Sequence, residues 1–230
     1  MPRRKRAARA GTIRIIAVGV ALVLAAGLLW LGYRQFAGSR ATPRSDVPVA
    51  VGADHIDPAN DARRVIVSGT LSAAGSARDR DFGTGTKAAM LFRKVEMLQW
   101  QEHCAGAECS YDKAWAATAI DSHKFRVPAG HENPPLRLVS ARFDAPNMHL
   151  GLFEVDPALI EAQLPSVEHP MHAAELPPNL AATFSESAGL LYAGGDPTHP
   201  DIGTVRIGFR EIPFGAATLS GTQRGKHLTH

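Results

Sequence analysis

The sequence predicts a mainly β (α+β) domain with antiparallel hairpins and one short helix, preceded by one transmembrane helix. Three features support this prediction: an uncharged apolar run near the N-terminus, a series of short β-branched or alternating segments, and one capped helical segment among them. Strands do not alternate with long helices along the chain, so a parallel α/β sheet is not expected.

The apolar run is long enough to cross a membrane as a helix. Ile15–Leu31 contains seventeen uncharged residues and would span about 26 Å in helical form. Trp30 and Tyr33 stand at its far end, where aromatic rings favour the headgroup region. A helix satisfies its own backbone in hydrocarbon. We therefore expect a transmembrane helix over residues 15–33, which contacts the lipid bilayer through Ile15–Leu31.

The charge pattern predicts the orientation of this helix. Six basic residues precede it within the first fourteen positions, and such clusters stay in the cytoplasm. The sequence therefore predicts a cytoplasmic tail over 1–14, a linker over 34–62 and an extracytoplasmic β-rich domain over 63–230. A cleavable signal peptide is the alternative, because it also has a basic start and an apolar core. The length of the run favours an uncleaved anchor, and both interpretations export the domain.

The remaining charge argues against a nucleic-acid partner. The whole chain carries +3, so the residues after the first fourteen carry a net charge of −3. Their basic residues are scattered among acidic ones and form no stripe that could follow a phosphate backbone. We expect no binding of nucleic acid.

The predicted strands are short and unevenly spaced. Segments with β-branched, apolar or alternating patterns are 64–71, 91–102, 111–120, 136–143, 148–155, 190–193 and 204–209. Small and turn-forming residues predict loops over 72–87 and 128–135. Asp156 and Pro157 provide an N-cap and a first-turn proline for the short helix ALIEAQL, which Pro165 ends. Further prolines predict irregular structure after that point.

The two cysteines of the chain lie between the two strands of a predicted hairpin. Cys104 and Cys109 could close its tip as a disulfide in an oxidising compartment. So small a loop would contribute about 2 kcal/mol to stability. A metal site that also uses His103 is the alternative, but structural zinc takes four ligands and no second pair follows. The disulfide is therefore favoured.

No catalytic, cofactor-binding or metal-binding constellation is predicted. Asp121, Ser122 and His123 have the residue types of a hydrolase triad, but neighbours in an extended chain point to opposite faces. The histidine pairs 169/172 and 227/230 have no carboxylate at metal-ligand spacing, and fraying is expected at the C-terminus. Glu96, Glu102 and Glu154 could pair, but nothing in the sequence sets their separation.

Several motifs resemble the transmembrane protein 43 family, also called LUMA. Val95–Glu102 resembles its VEMYQW-type segment, and Gly130–Pro134 is similar to its GHxNP turn. Pro197–Ile207 is similar to its PxYPxVGDLRV stretch, and Gln223–Gly225 to its QRG sequence. The motifs occur in the family's order. The positions that carry the resemblance are Glu96, Gln99, Trp100, Trp115, Gly130, His131, Asn133, Pro134, Pro200, Gly203, Arg206, Gln223, Arg224 and Gly225.

The resemblance implies a membrane protein with a large loop after its first helix, on the lumenal side. In animals the family is associated with the inner nuclear membrane and the endoplasmic reticulum, and is thought to organise membrane protein complexes. It brings no established catalytic residue. The family continues into further membrane helices after QRG, so the resemblance implies a shortened or fragmentary member. The sequence CAGAEC replaces a longer charged loop.

These observations lead to two functional hypotheses. The Ala- and Arg-rich composition indicates a bacterial source, which predicts an inner-membrane protein with a cytoplasmic N-terminus and a periplasmic domain. The first hypothesis is a non-enzymatic, membrane-anchored domain without a cofactor that scaffolds or senses at the membrane. Its expected partners are membrane proteins or further copies of itself. The alternative is an envelope hydrolase that uses glutamate and histidine residues around His131 and His199.

Overall fold

The computed structural model describes residues 47–230, which form a mainly β domain with few helices. The prediction of a mainly β domain is thus confirmed. The predicted cytoplasmic tail (1–14), the predicted transmembrane helix (15–33) and the first part of the predicted linker lie outside the described residues. Within 47–230, no helix combines the length and the apolar character that a membrane span requires.

The strands follow one another with few helical interruptions. They are β1 (Val49–Gly52), β2 (Arg64–Ala73), β3 (Arg78–Asp79), β4 (Thr84–Gly85), β5 (Ala88–Ala105), β6 (Glu108–Ala116), β7 (Ala141–Asp144), β8 (Met148–Leu150), β9 (Phe153–Val155), β10 (Val167–Glu168), β11 (Ser185–Ser187), β12 (Leu190–Ala193), β13 (Val205–Pro213), β14 (Gly215–Arg224) and β15 (His227–Thr229). The helices are α1 (Pro157–Gln163), α2 (Pro178–Ala181) and the 3-10 turns Pro58–Asn60, Ser122–Lys124 and Ala173–Glu175.

Six strands form one sheet in the order β1-β2-β14-β15-β9-β8. β8 also pairs with β2, so five of these strands close into a ring of pairings. Apolar side chains of these strands and of α1 share one buried cluster, which includes Leu71, Leu150, Phe153, Leu159 and Leu228. Burial of such side chains provides most of the favourable free energy of folding.

A second sheet has the order β11-β12-β13-β5-β6, with β7 beside β5 and β10 beside β13. Two of its strands, β5 and β13, connect the two cores. Met90 of β5 and Ile212 of β13 lie in the first apolar cluster, whereas Val95 and Ile207 lie in the second. The free end of β5 extends beyond β13 and pairs with β6 alone, as a long antiparallel hairpin.

The structure agrees with most predicted elements and corrects several boundaries. The hairpin over β5 and β6, strands β2, β12 and β13, and the α1 helix, whose cap is Asp156, are confirmed. The strand predicted over 136–143 is shorter and begins at Ala141. The single strand predicted over 148–155 is instead the two strands β8 and β9, because Gly151 turns the chain with φ 60°.

Three strands of the six-stranded sheet lie outside the predicted strands. Residues 49–52 of the predicted linker form β1, which pairs in parallel with β2. Residues 215–229, for which no strand was predicted, form β14 and β15. The expectation that His227 frays is therefore wrong, since this residue is paired with Arg224 and Glu154 on the neighbouring strands.

Candidate functional site at the base of the long hairpin

Most positions of the family motifs gather at one end of the hairpin formed by β5 and β6. We call residues 96–100 and 113–116 the hairpin base, and residues 102–111 the hairpin tip. The motif segments 130–134 and 200–206 come from loops and from β13, and their contacts converge on the base. The base is therefore the candidate functional site.

Gln99 holds the chain that leaves β6. Its side chain is fully buried, and its Nε2 donates to the carbonyl of Thr118 at 2.9 Å. Its Oε1 accepts from the backbone N–H of Ile120 at 2.8 Å. A buried amide of this kind completes hydrogen bonds that the backbone cannot make within a sheet. Gln99 thus closes the loop that follows β6 against β5.

Asn133 holds the motif turn 130–134 against β5. Its Oδ1 accepts from the N–H of Trp100 at 2.7 Å, while its Nδ2 donates to the carbonyls of Trp100 and Ile120. Its own N–H donates to Oγ of the buried Ser122 at 2.9 Å. One asparagine therefore pairs with both backbone groups of a β5 residue, as a neighbouring strand would.

Gly203 lies directly against this turn. Its φ of 92° falls in the left-handed region, and a Cβ at this position would stand 2.8 Å from Cγ of Pro134. Its N–H donates to the carbonyl of Leu98, and the N–H of Leu98 donates to the carbonyl of Thr204. A glycine is required at this position because both the backbone conformation and the available space exclude a side chain.

Glu96 and Arg206 form a half-buried ion pair across β5 and β13. Oε2 of Glu96 accepts a hydrogen bond from Nε of Arg206 at 2.9 Å and forms an ion pair with Nη2 at the same distance, while Oε1 pairs with Lys94. The guanidinium also lies 4.3 Å from the ring centroid of Trp115. Burial alone would raise the pKa of Glu96, but hydrogen bonds from Lys94 and Arg206 outweigh it, so the pKa lies below its usual value.

The ion pair borders a cleft of about 650 Å³. His172 and Glu186 also line this cleft, and Nδ1 of His172 contacts a carboxylate oxygen of Glu186 at 2.9 Å. The hydrogen bond to Glu186 raises the pKa of His172, and the same bond lowers the pKa of Glu186. Sequence reasoning missed this cleft, because no local spacing relates residues 94–96, 168–172 and 186–190.

His131 stacks on aromatic side chains of the hairpin. Its ring lies 3.8 Å from that of Tyr111 in a stacked arrangement and 4.9 Å from that of Trp100, edge to face. Its Nδ1 is 3.1 Å from the carbonyl of Val127. Glu132 accepts from the N–H of Gly130, which lowers the pKa of this carboxyl. The ring of His131 is therefore packed against the rings of Tyr111 and Trp100.

The tip is held by different bonds. Cys104 and Cys109 form a disulfide directly across the two strands. Glu102 accepts from the hydroxyl of Tyr111 at 2.7 Å and from the N–H of Arg126. The hydrogen bond from Tyr111 lowers the pKa of Glu102 most, and the bond from Arg126 lowers it further. The Arg126 side chain donates to the carbonyls of the turn residues Gly106 and Ala107.

The other groups considered for chemistry lie apart or have local roles. Asp121 caps its 3-10 turn by accepting from the N–H of His123. His199 is 89% exposed at its side chain and contacts Thr198 and Asp196. Among the described residues, the one trio of metal-binding atoms within 4.8 Å of one another is that of Glu102 and the two disulfide sulfurs. These sulfurs are bonded to each other and are not thiolate ligands.

The three carboxylates that could have formed a catalytic pair each have other partners. Glu96 pairs with Arg206, Glu102 with Tyr111, and Glu154 with Lys226 and His227. His169 contacts Glu211 at 3.0 Å, and His172 contacts a different carboxylate, so the two histidines of HPMH do not share a ligand site.

Two motif regions lie away from the core of this arrangement. Pro200 belongs to the loop between β12 and β13. The QRG motif lies in the six-stranded sheet, where the buried Gln223 donates to the carbonyl of Asp57 at 2.8 Å. Gly225 donates its N–H to Asp61, whereas Arg224 is exposed. This motif fastens the segment that precedes β2.

Comparison with known families decides the relationship of the chain. The family model of Transmembrane protein 43 matches residues 97–230, which is more than half of the chain. The chain belongs to this family. Membership in the transmembrane protein 43 family supports the prediction that the chain is a membrane protein.

Curated relatives agree with this assignment. Transmembrane protein 43 of Mus musculus is 26% identical over 203 residues, which cover 75% of this chain and 48% of the relative. The protein of Rattus norvegicus is 27% identical over 196 residues, and that of Homo sapiens is 26% identical over 203, each with the same coverage. The chain thus spans about half the length of these relatives. No solved structure matches it.

Proposed function

We propose that this chain is a membrane-anchored, non-enzymatic protein whose extracytoplasmic domain organises membrane protein complexes. The observation that carries the proposal is the use of the family-motif side chains at the hairpin base. The side chains of Gln99 and Asn133 form their hydrogen bonds with backbone groups, and the carboxylate of Glu96 pairs with Arg206. The shared residues therefore support a rigid frame, and what the domain offers to other molecules is its surface.

The exposed tip is the part of that surface best suited to selective contacts. It projects beyond β13 and is fixed by the disulfide and by Arg126. A rigid projection loses little conformational entropy when it binds. An anchor in the bilayer adds to this effect, because it keeps the domain at a high effective concentration near membrane partners.

Crosslinking in native membranes tests the proposal. The full chain would carry a photo-crosslinking amino acid in place of Glu108 at the tip, and a matched variant would carry it in place of the exposed Arg224. We expect defined crosslinks to membrane proteins from the tip position and few from the other. The same set of crosslinked proteins from both positions, or none from either, would contradict the proposal.

An activity assay tests the hydrolase alternative. Chromogenic esters and glycosides would be offered to the purified full chain and to its His131→Phe variant, which keeps an aromatic ring against Tyr111. We expect no turnover by either protein. Turnover that disappears with His131→Phe would support an envelope hydrolase instead.

A further inference from the structure

Three side chains of the types that bind zinc stand side by side on adjacent strands of the six-stranded sheet. His149 of β8 lies directly opposite Glu154 of β9, and His227 of β15 lies beside Glu154 on its other side. Paired residues of neighbouring strands share one face of a sheet, with Cβ atoms about 5 Å apart. Glu154 therefore has an imidazole on each side.

The pairing between β8 and β9 brings two of these side chains especially close. The N–H of Glu154 donates to the carbonyl of Lys226 in the segment before β15, so it points away from β8. His149 and Glu154 are thus a non-hydrogen-bonded pair, the kind in which opposed side chains approach most closely.

A contact already links two members of the row. Nδ1 of His227 is 3.1 Å from Oε2 of Glu154, and Lys226 forms an ion pair with Oε1. The hydrogen bond from Lys226 lowers the pKa of Glu154 most, and the charges of His227 and His149 lower it further. A carboxylate oxygen and an imidazole nitrogen of the row are therefore already close enough to share one ion.

The row is accessible to an ion. His149, Glu154 and His227 line one cleft of about 720 Å³, together with Asn147 and Asp156. The side chains of Glu154 and His227 are 32% and 54% exposed. An ion could thus reach the three side chains and keep water in a remaining coordination position.

We propose that His149, Glu154 and His227 form a binding site for a divalent transition metal ion, for which zinc is the probe. Two imidazoles and one carboxylate are a donor set that zinc accepts, with bonds of about 2.0–2.2 Å and water as the fourth ligand. The ligand atoms of these three side chains do not all lie within 4.8 Å of one another in the structure. Binding therefore requires the imidazole of His149 to turn toward Glu154 and the ammonium group of Lys226 to leave it. The site is independent of the function proposed above.

Zinc titration of the full chain in detergent tests this site. The protein carries no polyhistidine tag and is kept oxidised, so that Cys104 and Cys109 contribute no thiolate. We expect one zinc ion per chain, measured by calorimetry and by competition with a chromogenic chelator. His149→Ala and His227→Ala should each weaken binding at least tenfold, which is about 1.4 kcal/mol.

Two further variants separate this site from incidental zinc binding. His103→Ala removes another exposed histidine that contacts a carboxylate, Asp112, and should leave zinc affinity unchanged. Lys226→Ala removes the cation that competes for Glu154 and should tighten binding severalfold. Absence of binding up to about 100 µM zinc, or equal affinity in wild type, His149→Ala and His227→Ala, would overturn the proposal.

Discussion

The base and the tip of the hairpin formed by β5 and β6 are stabilised in different ways. At the base, half-buried polar side chains join β5 to distant parts of the chain, as Asn133 does with Trp100 and Arg206 with Glu96. At the tip, a disulfide and the exposed hydrogen bonds of Arg126 join residues of the hairpin to one another and to the loop that follows it. The base depends on the whole fold, whereas the tip depends on local links.

This difference matches the distribution of the family motifs. The base holds Glu96, Gln99, Trp100 and Trp115, and it is contacted by the motif residues of two loops. The tip carries CAGAEC, which departs from the family pattern. Most positions that carry the family resemblance therefore lie in or against the base, and none of them lies in the tip.

The largest expected effect comes from the buried amide at the base. Gln99→Leu should lower the free energy of unfolding by about 2–4 kcal/mol, because the backbone groups of Thr118 and Ile120 lose their partner. Unfolding by urea in detergent, followed by tryptophan fluorescence, measures this change.

The control is Gln101→Leu on the same strand, whose side chain makes no hydrogen bond within the described residues. It should change the free energy of unfolding by less than about 0.5 kcal/mol. Equal losses for the two variants would show that the buried bonds of Gln99 do not stabilise the base.

The disulfide of the tip should have the next largest effect. Replacing both Cys104 and Cys109 with serine should cost about 2 kcal/mol, because the link constrains a small loop of the unfolded chain. Near-ultraviolet circular dichroism of the folded variant should keep the wild-type tryptophan signal. A lost signal would mean that the tip and the base are not independent.

A smaller loss is expected from the ion pair of the base. Arg206→Lys keeps the charge but loses the hydrogen bond from Nε to Glu96 and the contact of the guanidinium with Trp115, at a cost of about 1–2 kcal/mol. Arg224→Lys, at an exposed motif position, should be close to neutral. If both substitutions cost the same in urea unfolding, the account of Arg206 is wrong.

The smallest effect is expected in how the stability of the domain depends on pH. The pKa values of Glu96 and Glu102 lie below the ordinary value of 4.5, so each carboxylate adds stability that is present above pH 4.5 and is lost as pH falls through the lowered pKa. Thermal unfolding between pH 6 and pH 3 should therefore show a flatter decline in Glu96→Gln than in wild type. Glu102→Gln, at the more exposed tip, should flatten it less, and the reverse order would contradict the comparison.

Local patterns were enough to predict much of the fold. Asp156 and Pro157 start α1 as expected, and the alternation after Tyr111 marks β6. The missed elements lacked such patterns. β14, Gly215–Arg224, is rich in Gly, Ala, Ser and Thr, so its apolar periodicity is weak, and its place in the sheet comes from pairing with β2 and β15.

The site was less accessible to sequence reasoning than the fold. Glu96, Asn133, Gly203 and Arg206 were identified through the family resemblance, but their mutual contacts join segments that are more than thirty residues apart. No spacing rule relates such positions. The row of His149, Glu154 and His227 was hidden for the same reason, since β15 returns to β9 from the far end of the chain.

The central claim is that a family-specific frame presents a disulfide-bonded tip outside the cytoplasm. The oxidation state of the two cysteines in intact cells tests this claim most directly. Cells expressing the full chain are quenched in acid, and the protein is treated before and after reduction with polyethylene glycol maleimide. This reagent adds one polymer to each free thiol. We expect no shift in gel mobility before reduction and addition of two polymers afterwards. Two polymers added before reduction would place the cysteines in a reducing compartment and contradict the account.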